Sequence, residues 1–95
     1  MARIVRTVSA KRDLAAISDH NAVDNPSAAF RWLDEIDKTL SLIALHPLIG
    51  ERADLLAMGL RRYCLYNYLL FFKPINEGIE IRRVLHSARK IEEPL

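Results

Sequence analysis

Leu60-Arg61-Arg62-Tyr63-Cys64-Leu65, Tyr68-Leu69-Leu70-Phe71-Phe72-Lys73 and Ile79-Glu80-Ile81-Arg82-Arg83-Val84-Leu85-His86 read as three successive strands, and their reading decides the fold. The segment Pro74-Ile75-Asn76-Glu77-Gly78 reads as the turn between the last two, because Pro, Asn and Gly are turn formers. Strict alternation along the last strand puts Ile79, Ile81, Arg83 and Leu85 on one side. Glu80, Arg82, Val84 and His86 then occupy the other. Both sides carry apolar residues, so both are expected to be covered at least in part.

Upstream, a loop from Leu48 to Gly59 bends at Gly50 and Gly59. Before it, Phe30, Leu33, Ile36 or Asp37, Leu40, Ile43 and Ala44 recur at the spacing of one helical face, and His46-Pro47 closes that helix. Asn25-Pro26 separates it from an earlier helix: Pro suits a first helical turn and Asn25 suits its cap. The earlier helix runs from a Ser9 cap to about Asp24, with Ala10, Leu14 and Ile17 inward. Arg3 to Val8 alternates and reads as an opening strand. A break this short folds the two helices into a hairpin. The expected fold is α+β: an N-terminal strand, an antiparallel two-helix hairpin on one sheet face, then a three-stranded antiparallel C-terminal sheet segment. The segment Ala88–Leu95, or a partner protein, is expected to cover the other face.

At 95 residues the chain is expected to form one domain, residues 1–95. With 51% hydrophobic and 27% charged residues, it has the balance of an ordinary globular chain. The most apolar run, Leu65–Phe72, contains Asn67 and falls well short of the roughly 18–20 residues that span a bilayer. Met1–Arg6 is basic but lacks the apolar core of a signal peptide, so a cytoplasmic protein without membrane contact is expected. Cys64 is the single cysteine, leaving no internal disulfide and no cysteine metal motif, and reads as a small strand residue. His20, His46 and His86 lack ligand spacing, and glycines at 50, 59 and 78 form no phosphate loop. Neither metal nor cofactor is expected.

The net charge of +2 conceals an uneven distribution. Ser9–Pro47 has four basic and six acidic residues, hence −2. Leu60–Lys90 has seven basic residues (Arg61, Arg62, Lys73, Arg82, Arg83, Arg89 and Lys90) against Glu77 and Glu80, hence +5. An anionic partner would dock on the C-terminal half. Tyr63, Tyr66, Tyr68, Phe71 and Phe72 could offer a base-stacking surface, but aromatics alternating in strands more often serve core and edge packing.

Leu60-Arg61-Arg62-Tyr63, Asn67-Tyr68-Leu69-Leu70-Phe71-Phe72-Lys73-Pro74 and Gly78-Ile79-Glu80-Ile81-Arg82-Arg83-Val84-Leu85-His86-Ser87-Ala88-Arg89 resemble the C-terminal signature of the RelE/ParE toxins. Asp13-Leu14, the Pro26 break and His46-Pro47 before Gly50 extend the resemblance over nearly the whole chain, closer to the ParE branch. The resemblance implies the toxin of a type II toxin–antitoxin system, with a role in plasmid stabilization, bound by a cognate antitoxin. The ParE branch implies inhibition of DNA gyrase without enzymatic activity. The RelE branch implies an endoribonuclease cutting mRNA on the ribosome. A third possibility is an inactive relative that binds antitoxin and represses the operon.

RNA cleavage requires a base, an acid and cations around the phosphate. His86, Arg83 and Arg61 are the candidates for that chemistry. The ribonuclease members usually carry a tyrosine or another acid–base group near the chain end. Here Ser87–Leu95 has neither Tyr nor His, and only Lys90 as a titrating base, which favours the ParE-like reading. On that reading Arg61, Arg62, Arg82, Arg83 and Arg89 are antitoxin- or target-binding residues, with Arg82 and Arg83 in or beside the antitoxin interface. His86 and Arg89 would pin the C-terminal segment to the sheet.

Overall fold

The computed structural model describes residues 2–88. The element order is β1 (Arg3–Arg6), α1 (Val8–Asp24), α2 (Pro26–Leu45), β2 (Glu51–Arg52), β3 (Arg61–Leu65), β4 (Tyr68–Ile75) and β5 (Gly78–His86). The five strands form one sheet ordered β1-β5-β4-β3-β2, with β1 parallel to β5 and the other neighbours antiparallel. The fold is α+β, as expected. The loop between α2 and β3 adds the two-residue edge strand β2, which pairing with Arg61 and Arg62 creates and local sequence does not announce.

Thr7, not Ser9, caps α1: its hydroxyl oxygen accepts from the Ala10 amide at 3.2 Å. The same hydroxyl donates to the carbonyls of Ile81 (2.9 Å) and Arg82 (3.1 Å). It thus joins the helix start to β5, a long-range advantage that Ser9 lacks. Asn25 caps α2 as expected, accepting from the Ala28 amide, and Pro26 lies in the first helical turn.

Trp32, Ile36, Leu40, Ile43 and Ala44 of α2 pack over the sheet, and Ala29 is also buried. Phe30, expected inside, is 73% exposed; Trp32 takes the inward place and meets Tyr68 edge-on at 5.2 Å. Only two residues apart, the two aromatics cannot share one helical face. Buried Thr39 satisfies its hydroxyl on the Glu35 carbonyl at 2.8 Å.

β4 and β5 do not alternate strictly. Phe71 pairs with Arg83 but Phe72 pairs with Ile81, so Arg82 is an extra residue in β5. This bulge corrects the expected faces. Ile79, Ile81 and Val84 join Leu70 and Phe72 in the core beneath the helices, whereas Leu85 packs with Leu60 and Phe71 in a second cluster. Ala53, Leu56 and Ala57 of the β2–β3 loop cover that second cluster. The face carrying Val84 and Tyr68 is therefore the one under the helices. The expected cover from Ala88–Leu95 lies almost wholly outside the described residues.

The turn between β4 and β5 narrows to Asn76-Glu77, because Pro74 and Ile75 still pair with β5. Pro74 is tolerated there because the β3 ladder ends at Phe72, leaving that stretch of β4 without a neighbouring strand on one side among the described residues. Gly78 permits the close approach of β1, since a Cβ there would lie 1.8 Å from the Arg3 carbonyl oxygen.

Candidate functional site

The sheet register sets the relative positions of the candidate arginines. Arg61, Phe72 and Ile81 form one row across β3, β4 and β5, and Arg62, Phe71 and Arg83 form the next. His86 pairs with Tyr68 at the other end of the sheet. About four residues of strand, or roughly 15 Å, separate the Arg61 row from the His86 row. His86, Arg83 and Arg61 are thus not gathered around one point.

Among the described residues, Arg61, Arg62 and Arg83 donate hydrogen bonds within the chain, and Arg82 makes an ion pair without a hydrogen bond. The Arg61 guanidinium donates to the carbonyls of Leu48, Ile49 (3.3 Å) and Gly50 (3.1 Å), closing the segment after α2. Arg62 grips Glu51 through Nε (3.1 Å) and Nη2 (2.7 Å). Arg82 pairs with Glu80. Arg83 makes a forked contact with Asp13, Nε to Oδ2 at 2.7 Å and Nη2 to Oδ1 at 3.1 Å. That carboxylate raises the Arg83 pKa above its ordinary value, against a smaller opposing effect of burial. Arg89 lies outside the described residues.

His86 is exposed, its Nδ1 accepting from the Ala88 amide at 3.1 Å and its ring meeting Tyr68 edge-on at 5.5 Å. The imidazole thereby orients the chain as it leaves β5. Cys64 is exposed on β3, its thiol 3.3 Å from the Tyr66 carbonyl.

Sequence reasoning missed two features. The first is Asp13, whose Oδ2 also accepts from the Val84 amide at 2.9 Å. The β1–β5 ladder ends at Ile81, so Asp13 supplies an acceptor where no strand continues. An isolated acidic residue on a helix gives no sign of a partner 70 positions away. The second is the outer edge of β1. Arg3 turns its amide to Glu77, just before β5, and Thr7 to Ile81 of β5, so the intervening Ile4 and Arg6 direct their backbone groups outward. Beside this edge a groove of about 160 Å³ is lined by Ala2, Ile4, Ser41, Ala44 and Leu45. Alternation in Arg3–Val8 predicted a strand, but not that it would lie at an edge.

The model of the ParE toxin of type II toxin–antitoxin systems (parDE) matches residues 4–91. The chain belongs to the ParE toxin family. This ParE-family chain is also similar in fold to a solved chain described as the chromosomal ParDE TA system from P. aeruginosa. The two share 23% identity with a TM-score of 0.76, over 90% of this chain and 96% of that one. A comparison with curated proteins gives no match. The family assigns the chain as the toxin component of a type II toxin–antitoxin system. Among the described residues, no helix of this toxin is long and apolar enough to cross a membrane.

Proposed function

We propose that this ParE-family toxin inhibits DNA gyrase as a binding protein and is neutralised by a cognate antitoxin. The observation carrying this reading is the commitment of the candidate cleavage residues to the fold. Arg61 is held by three backbone carbonyls, Arg83 by Asp13, and His86 Nδ1 by the Ala88 amide. A ribonuclease site needs such groups directed together at a phosphate. Here Arg61 and Arg83 donate to acceptors of the chain itself, and exposed His86 lies at the other end of the sheet.

The antitoxin is assigned to the open edge of β1. An extended segment can add a strand through the outward backbone groups of Ile4 and Arg6, with apolar side chains entering the groove at Ala2, Ala44 and Leu45. Exposed Arg3 favours an acidic segment there. Arg62 is assigned to partner contact, because its exposed ion pair with Glu51 exchanges one carboxylate for a partner's at small cost, whereas the Arg82 Nε is buried against Glu80. Arg61 and Arg83 are assigned to the fold.

The test is a gyrase supercoiling reaction with cleavage complexes scored on a gel. Lost supercoiling and accumulated cleaved DNA, both reversed by antitoxin, are expected. Unaffected gyrase together with mRNA cut on a translating ribosome would replace this reading with the nuclease one.

A further inference from the structure

The indole N–H of Trp32 is buried, in a residue only 8% exposed, and has no hydrogen-bond partner among the described residues. Arg82 Nε is also buried without a hydrogen bond, but it faces the Glu80 carboxylate in an ion pair. No ion pair compensates Trp32 Nε1. Native cores pair nearly all buried N–H groups, because an unmade bond forfeits what water would have given. The core beside this indole is also incompletely covered. Leu33, Leu65 and Tyr68 pack against the cluster that holds Trp32, yet each stays partly exposed.

The chain leaves β5 at this end of the core. Tyr68 meets Trp32 edge-on at 5.2 Å and also meets His86, the last residue of β5, at 5.5 Å. The exit is held by two hydrogen bonds, from the Ser87 amide to the Asn67 carbonyl and from the Ala88 amide to His86 Nδ1. Seven residues follow: Arg89-Lys90-Ile91-Glu92-Glu93-Pro94-Leu95. The Trp32 and His86 rings lie at most about 11 Å apart, against the roughly 23 Å that seven extended residues span.

We infer that residues 89–95 fold back onto this end of the core and supply the oxygen that accepts from Trp32 Nε1. Ile91 and Leu95 give the segment the apolar side chains to cover Leu33, Leu65 and Tyr68. Its carboxylates, Glu92 and Glu93, suit Arg31, which is exposed beside Trp32 on α2 and makes no ion pair among the described residues. A tethered segment acts at an effective concentration on the order of millimolar, so it takes the seat ahead of a separate chain of similar affinity. The inference does not depend on whether gyrase is the target.

Trp32 is the single tryptophan, so its indole gives one nitrogen–proton resonance in the full chain. The test attaches a nitroxide at Leu95→Cys in a Cys64→Ser background, which removes the native exposed thiol. Indole intensity is compared with the label oxidised and reduced, and a loss of at least threefold is expected with the oxidised label. In a second full-length variant, Ile91→Ser, the indole proton should exchange with water at least tenfold faster than in wild type, with the amides of β4 unchanged. An indole resonance that the label leaves untouched overturns the inference. So does exchange at the wild-type rate in Ile91→Ser, which would leave the N–H to water or to the Tyr68 ring. Protection of the wild-type indole that appears only when antitoxin is added also overturns it, and assigns the accepting oxygen to that partner.

Discussion

Asp13 and Arg83, 70 positions apart, form a two-point ion pair, and Asp13 Oδ2 also receives the Val84 amide. One carboxylate therefore joins α1 to β5 just past the point where β1 stops pairing. Both side chains are largely shielded, at 11% and 28% exposure. Removing Asp13 strands a guanidinium and a backbone amide together. Asp13→Ala should cost about 2–4 kcal/mol in urea unfolding. Arg83→Lys should cost less, since it keeps the charge and loses the fork. Equal stability of Asp13→Ala and wild type would show that the pair adds nothing net.

Gly78 lies where β1 crosses the start of β5, with the Arg3 carbonyl in the space a Cβ would fill. Gly78→Ala must displace β1, and a loss of about 2–3 kcal/mol is expected from forced repacking. Amide exchange should locate the damage, with the β1 amides losing protection before those of β4.

Glu77 adopts φ +65° in the Asn76-Glu77 turn, and its carbonyl accepts from the Arg3 amide. Its backbone holds β1 while its side chain is exposed. Glu77→Gly relieves the left-handed strain, partly offset by the greater freedom of Gly when unfolded. A net gain of about 0.5–1 kcal/mol is expected in thermal melting. A drop in Tm would mean that the turn does not strain Glu77.

Asp54 is held below its ordinary value of 3.8, first by the Gly59 amide and also by Arg52. A lowered carboxylate pKa gives stabilisation that is fully present above the unfolded value and disappears as pH falls through the folded one. The β2–β3 loop should therefore keep its order at neutral pH and loosen only below about pH 4. Hydrogen exchange at the Gly59 amide, followed from pH 6 to 3, reads this directly; Asp54→Asn should show faster exchange at pH 6.

Phe30 and Trp32 offer a contrast on one helix. Phe30 is 73% exposed and Trp32 is 8% exposed, so Phe30→Ser should change stability by less than about 0.5 kcal/mol. Trp32→Ala, which empties the space beside Tyr68, should cost about 3–5 kcal/mol. Comparable losses from the two would restore the helical face first expected from the sequence.

The sequence by itself determined the elements whose signals are local. Asn25-Pro26 divides the helices because a cap and a fixed φ act within a few residues. The spacing of Ile36, Leu40, Ile43 and Ala44 marks the buried helical face. The motifs within residues 60–89 carry the resemblance to the toxin family in the sequence itself. Tertiary structure alone decided the rest. The bulge at Arg82 reverses which face Val84 and Leu85 occupy, and that choice depends on β4, not on β5. Whether Arg61, Arg62, Arg82 and Arg83 are free to bind a partner was equally hidden. An arginine's charge is written in its own residue. The carboxylate or carbonyl that occupies its donors is supplied by whichever segment the fold brings beside it.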